Sequence, residues 1–368
     1  MLTARREKLP SAIPALADVQ RGGEPTSDLR PCVNLDRNER LEPLPEWFLE
    51  SIRESIDSAL FTRYPIPDEL RRMLAAHLAL QEAQVLLTSG SDAAIKALYH
   101  AYIRPGDAVV MLDPSYAMFE VYARLFQARA VPVPFTPACQ LDPQLLFDSV
   151  VPGVRLVMLA NPNQPTGTLL EEAQLRRLAE RTEAVGSLLA VDEAYFPFSR
   201  TTVLPWVNQF PHLVVIRTFS KAAGLAGLRL GFVAGNPAIL VNLSKVRSAH
   251  DVNSMSLLCA THLLQHPEVI DDYAAQVEAG RRFLTERVRA LGLTPLPSAT
   301  NFMLIRVAPR CEPAELVARF RRRNYLVKGP FSAACLLGCI RITLGPEKLM
   351  KEFAEVLAEL VNGEAHPR

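Results

Sequence analysis

No apolar run in the 368-residue sequence reaches the roughly 18 residues that a membrane-spanning helix needs. Charge of one sign is also lacking. Forty Lys and Arg face 39 Asp and Glu, a formal charge of +1, which gives no general attraction to nucleic acid or an anionic membrane. Cysteine is sparse: Cys32, Cys139, Cys259, Cys311, Cys335 and Cys339 form no CxxC pair and have no His-rich neighbour. Neither a disulfide framework nor a metal site is expected, and free thiols in a reducing cytoplasm are. Internal repeats and low-complexity tracts are absent. The N-terminal stretch MLTARREKLPSAIPALADVQRGGEPTSDLRP lacks an apolar run of signal-peptide length and reads as an arm. Core-forming material is plentiful, with 49% hydrophobic against 21% charged residues, the profile of a soluble globular protein. The chain exceeds the roughly 250–300 residues at which single cores stop growing, so two domains are expected.

One pattern recurs through the middle of the chain: a short apolar run, a polar loop, then an amphipathic helical stretch. AVVMLDPSY, VRLVMLANPNQPTG, LLAVDEAYF and LVVIRTFSK are each apolar on both faces and end in polar or aromatic residues. Helix-length segments such as EEAQLRRLAERTEAV separate them. This predicts an α/β fold with a doubly wound, mostly parallel sheet, whose ligands sit beyond the carboxyl ends of the strands. After a helical region from about Met255, the segments TNFMLIRV, NYLVKG and CIRITLG read as strands of a second, smaller sheet. EPAELVARFRRR and PEKLMKEFAEVLAELV read as its helices.

The strand ends carry the chemistry. In VVIRTFSKAAGLAGLRLGF, Lys221 stands in an apolar setting that lowers an amine's pKa and frees it for Schiff-base formation. Thr218, Ser220 and Arg229 around it can clamp a phosphate. A cofactor bearing both an aldehyde and a phosphate is pyridoxal 5'-phosphate. Asp192 ends the apolar run of VDEAYF, where a carboxylate is costly to desolvate unless it meets a cation such as a protonated pyridine nitrogen. Tyr195 can donate to the ring's phenolic oxygen and Tyr116 can stack on the ring. Ser91 and Asp92 open a helix whose first N–H groups can receive phosphate oxygens. Taken singly, each has a plainer explanation: Lys221 as a strand cap, Arg229 in a surface ion pair, Asp192 as a helix cap, Tyr116 as a packed loop aromatic.

Together, and in order, NPNQPTG, VDEAYF, RTFSKAAGLAGLRLGF, GSDAAI and CIRITLG resemble fold-type-I pyridoxal-phosphate aminotransferases of class I/II, in particular the histidinol-phosphate aminotransferase branch. The resemblance runs from about Val33 to Leu360. It implies an N-terminal arm (1–45) packing on the small domain, a large cofactor-binding domain (46–260), a small α/β C-terminal domain (261–368) and a homodimer with shared active sites. By position, Lys221 matches the Schiff-base lysine and proton shuttle, Asp192 the pyridinium partner, Tyr195 the phenolic-oxygen donor and Tyr116 the stacked ring. Ser91, Asp92, Thr218, Ser220 and Arg229 fall on phosphate-binding positions. Tyr64 matches a tyrosine that reaches the neighbouring subunit's phosphate, and Asn38 lies where the N-terminal motif approaches substrate.

Two departures from that pattern concern function. Gln164 stands before PTG where asparagine is usual, so either the longer amide or Asn163 serves the phenolic oxygen. Lys328 replaces an arginine that helps hold the substrate's phosphate, keeping the charge but losing the bidentate fork, while Arg341 remains as the anion anchor. In addition, NERLEPLP lacks the usual proline-glycine continuation. The implied reaction moves an amino group between a small anionic amine or amino acid and a 2-oxo acid. A second reading is a decarboxylase of phosphorylated amino acids, resembling threonine-phosphate decarboxylase. A third, a regulator without turnover, calls for an appended DNA-binding domain, for which the short N-terminal segment leaves no room.

Overall fold

The computed structural model describes residues 32–363, so the expected arm of residues 1–45 falls outside it up to residue 31. In chain order the strands are β1 (Val33–Asn34), β2 (Val85–Thr88), β3 (Ala108–Asp113), β4 (Arg129–Pro134), β5 (Val154–Ala160), β6 (Leu188–Asp192), β7 (Leu213–Thr218), β8 (Gly231–Gly235), β9 (Thr294–Pro295), β10 (Phe302–Arg306), β11 (Tyr325–Leu326) and β12 (Cys339–Thr343). Seven of them form one sheet in the order β2-β8-β7-β6-β5-β3-β4. Only β8 runs antiparallel to its neighbours in that sheet; the remaining pairs are parallel.

Leu213, Val214, Val215 and Ile216 are all fully buried, as a strand covered on both faces must be. Their period of two sorts them: Leu213 and Val215 enter one core with Leu189 and Val191, whereas Val214 and Ile216 enter a second with Ala190 and Met158. Helix Glu172–Val185 supplies Leu175 and Leu178 to the first core. Its turn ends at Gly186, whose φ of 71° suits a residue without a Cβ. Helix Gly90–Tyr102 supplies Ile95, Leu98 and Tyr99 to the second core.

A third core joins helix Glu268–Ala290 (Tyr273, Val277, Leu284) to β10 (Met303, Ile305), β12 (Ile340, Ile342) and helix Glu347–Asn362 (Phe353, Leu357). The change of core falls in the first turns of Glu268–Ala290, since Val269 belongs to the first core and Tyr273 to this one. β10 pairs antiparallel with β12 and β9. NYLVKG joins that ladder only at Lys328, which bridges antiparallel to Arg341 of β12. Before that bridge its strand β11 pairs in parallel with β1, where the Val33 and Leu35 N–H groups donate to the Asn324 and Leu326 carbonyls at 2.8 Å. Leu35 is thereby carried into the third core, and Asn38, three residues on, bonds both Thr343 of β12 and Tyr195 beyond β6.

Candidate active site

The carboxyl ends of β5, β6 and β7 lie side by side, with Ala160 paired to Asp192 and Asp192 to Ile216. A cavity of about 290 Å³ opens there, lined by Ser91, Asp92, Tyr116, Gln164, Asp192, Tyr195, Thr218, Ser220, Lys221, Arg229, Asn38, Arg37 and Arg341 among others. Ten of these thirteen come from the part of the chain that builds the seven-stranded sheet, Arg37 and Asn38 come from the segment after β1, and Arg341 comes from β12 and closes the opposite side.

At one end, helix Gly90–Tyr102 begins without a side-chain cap, so its first N–H groups are free to meet an anion. Two glycines allow this approach. Gly90 has φ +80°, and a Cβ on Gly231 would lie 2.9 Å from the Ser91 nitrogen. Thr218 Oγ1 donates to Ser220 Oγ at 3.0 Å, and Arg229 Nη1 reaches the same Ser220 oxygen at 3.4 Å. Arg229 lies 3.7 Å from Asp92, which also accepts the Tyr116 hydroxyl at 2.6 Å. Hydroxyls, free amides and a guanidinium thus converge on one small volume.

At the floor, Asp192 is buried. Its Oδ1 accepts the Ala194 N–H at 3.0 Å, and among the described residues its carboxylate has no ion-pair partner. Burial pushes its pKa up to about 7; the Ala194 N–H opposes this, and the charges of Asp92 and Glu193 add to it. Neighbouring Glu193 differs in having a fixed cation, with Arg217 at 2.8 Å. An acid held next to a paired one, yet left without a cation, suits a ligand that brings its own positive charge.

Lys221 faces the acid across the cavity. Burial lowers its pKa to about 8, and the charges of Arg341 and Arg229 assist. Its Nζ donates to the Arg37 carbonyl at 3.3 Å. Tyr195 is pushed up to about 12 by burial and so keeps its proton at neutral pH, while its oxygen accepts from Asn38 Nδ2 at 3.0 Å. Gln164 places an Oε1 atom in the buried wall with no hydrogen-bond partner.

Three expected residues are not brought into this cavity. Asn163 spends its amide within its own loop, accepting from Ser115 Oγ at 2.7 Å and donating to Pro114 O and Thr166 Oγ1. Of the two amides, only Gln164 lines the site. Lys328 pairs through its backbone with Arg341, but its side chain is exposed to solvent. Tyr64 is 78% exposed and stacks on His250 at 4.5 Å. Sequence reasoning missed Arg37, although it stands directly before Asn38 in NLDRNER. It also missed the Glu193–Arg217 pair behind Asp192.

An amine and an acid line one cavity with an anion cradle at one end, which fits a molecule carrying an aldehyde, a basic ring nitrogen and a phosphate. The fold and the site define a pyridoxal-phosphate enzyme of the fold-type-I class. The chain belongs to the family "Aminotransferase class I and II", whose model matches residues 30–357, and it is a pyridoxal-phosphate-dependent aminotransferase. It is 36% identical over 345 residues to histidinol-phosphate aminotransferase 1 of Burkholderia lata, covering 91% of this chain and 93% of that one. To the Ralstonia nicotianae protein of the same name it is 35% identical, covering 90% of each. The crystal structure of Sinorhizobium meliloti histidinol-phosphate aminotransferase in complex with pyridoxal-5'-phosphate superposes with a TM-score of 0.86. That match is at 25% identity and covers 98% of this chain and all of that one.

Proposed function

We propose that this aminotransferase takes its amino group from a small anionic amine or amino acid, of the kind histidinol phosphate represents, and passes it to a 2-oxo acid. The observation that carries this reading is Arg341. It is 5% exposed, its Nη2 donates to the Asp36 carbonyl at 2.8 Å, and its buried Nε has no partner. A desolvated guanidinium with unused donors at the substrate side of the cavity calls for an anion.

Bound pyridoxal phosphate supplies an aldehyde carbon that exchanges amines and a ring that accepts the electron pair left at Cα. The other tasks belong to the chain. Ser91, Thr218, Ser220, Arg229 and the open helix start hold the phosphate. Asp192 keeps the ring nitrogen protonated, Tyr116 covers the ring, and Tyr195 and Gln164 address its phenolic oxygen. Lys221 would hold the aldehyde carbon, and its Nζ would move the proton away from Cα, a task that a lowered pKa favours. Arg341 fixes the donor's orientation.

The working unit in this reading is a homodimer in the cytoplasm. Phe61, Tyr64 and Ile66, exposed by 71 to 78%, form an apolar strip suited to a second copy, and the free cysteines suit a reducing compartment. No described helix is long and apolar enough to cross a membrane.

A half-reaction screen tests the substrate reading. The holoenzyme is mixed with histidinol phosphate, L-glutamate, O-phospho-L-threonine or the cation putrescine, and the cofactor's visible band and released carbon dioxide are followed. The anionic amines should bleach the band without carbon dioxide, and putrescine should not bleach it. Equal bleaching by putrescine overturns the anionic assignment, and carbon dioxide release points to the decarboxylase.

A further inference from the structure

We propose that Arg37 determines specificity in this enzyme, selecting amino donors that carry two negative charges at the end remote from the amine. The inference rests on the reading of Arg341 as the donor's anchor.

Charge bookkeeping over the cavity leads to it. Four cationic side chains, Arg37, Lys221, Arg229 and Arg341, line the cavity against the acids Asp92 and Asp192. Arg229 lies against Asp92 and Ser220 in the anion cradle. Asp192 would be matched by the ring nitrogen, and the Lys221 amine would be taken up in holding the cofactor's aldehyde carbon. Two guanidiniums, Arg37 and Arg341, are then left facing the donor, and among the described residues no further acidic side chain lines the cavity.

Both are tied to one short piece of backbone. The Asp36 carbonyl accepts from Arg341 Nη2 at 2.8 Å, and the Arg37 carbonyl accepts from Lys221 Nζ at 3.3 Å. The Arg37 side chain therefore departs from the chain between the reacting amine and the buried anchor. The hydrogen bonds Asn38 N–H to Thr343 Oγ1, at 2.9 Å, and Asn301 Nδ2 to the Asn38 carbonyl, at 3.0 Å, hold this segment in place. The Arg37 guanidinium itself is lightly held. Its nearest charge is Asp36 Oδ1 at 4.0 Å, close enough to orient it and too far for a hydrogen bond. Among the described residues no other group receives its N–H donors. Glu39, on the same segment, acts on Lys221 by its charge but does not line the cavity.

With its side chain 45% exposed, Arg37 meets water as well as ligand. Its contribution belongs at the low end of the range for a hydrogen bond to a charged group, about tenfold in affinity. The second charge can come from a dicarboxylate or from a phosphate monoester, since both offer paired anionic oxygens to a guanidinium fork.

Calorimetry on the holoenzyme, whose cofactor phosphate already fills the cradle, separates these sources without turnover. The probes are butyrate, with one charge, glutarate, with two carboxylates, and ethyl phosphate, with one dianionic group. Wild-type enzyme should bind glutarate or ethyl phosphate about tenfold tighter than butyrate, and the tighter of the two names the source. Arg37→Gln should abolish that preference and leave butyrate affinity unchanged, with Arg37→Lys recovering part of it. Equal weakening of all three probes in Arg37→Gln, or no dianion preference in the wild type, overturns the proposal. Failure of anionic donors in the half-reaction screen with the dianion preference intact counts against the function proposed above and leaves Arg37 in its role.

Discussion

Asn38 Nδ2 donates to the Tyr195 hydroxyl oxygen at 3.0 Å, joining the N-terminal segment to the end of β6 across 157 positions of sequence. Because the phenol oxygen accepts there, its own proton is directed elsewhere, and the side of Tyr195 left open is the cavity. In the proposed function Asn38 would act on the cofactor through Tyr195, as a positioning residue.

Asn38→Asp should therefore do more harm than Asn38→Ala. A carboxylate takes the phenol's proton as its own hydrogen bond and removes it from the cavity, whereas alanine deletes one bond of about 0.5–1.5 kcal/mol. A spectral pH titration of the bound cofactor should show a higher midpoint in Tyr195→Phe and Asn38→Asp, and a smaller rise in Asn38→Ala. An unchanged midpoint in Asn38→Asp rules the positioning role out.

Asp192 gives a pH dependence of known sign. Its folded pKa of about 7 lies above the unfolded value of about 3.9, so the unfolded chain releases this proton first. The apoprotein therefore loses stability as pH rises from about 4 to about 7, by up to about 4 kcal/mol at about 1.4 kcal/mol per pKa unit. Asp192→Asn removes the penalty. Its apoprotein should melt above wild type at pH 8, with the gap closing toward pH 4, while its cofactor-loaded form loses turnover by about 100-fold or more because the ring is a weaker electron sink. Wild-type and variant apoproteins with the same melting curve at pH 8 would show that Asp192 is not held against burial.

Tyr64 is testable in mixed dimers. If the exposed tyrosine serves the neighbouring subunit, a heterodimer of Tyr64→Ala and Lys221→Ala chains collects both defects in one site and leaves the other intact. Activity should recover toward half of a wild-type dimer. No recovery, with mixing confirmed by native mass spectrometry, means that Tyr64 does not cross.

Much of this site was legible in the sequence because its residues sit where a buried strand ends. Asp192 and Thr218 follow apolar runs that can only be strands covered on both faces, and a polar residue at such an end points at the ligand crevice. Lys221 and Arg229 were legible as an amine and a guanidinium in a small apolar setting, and both lie in the connection from β7 to β8. The rest depends on contacts distant in sequence. Asn38 and Thr343 are 305 positions apart, so the place of Arg37 beside Lys221 becomes visible only once β1 has paired with β11. That pairing was hidden because two-residue strands carry almost no periodicity. Lys328 occupies the position its spacing suggested, next to Arg341 on the backbone, yet its side chain turns to solvent. Spacing could not decide between Asn163 and Gln164, because the choice depends on which amide the loop consumes in its own turn.

In the proposed function Lys221 carries the cofactor in the cavity that Asp192 closes. Borohydride reduction of the holoenzyme followed by peptide mass spectrometry tests it most directly. The account predicts one cofactor adduct, on the peptide containing Lys221, and none after reduction of the Lys221→Ala variant. An adduct on another lysine of the wild-type chain, such as Lys96 or Lys328, would contradict it.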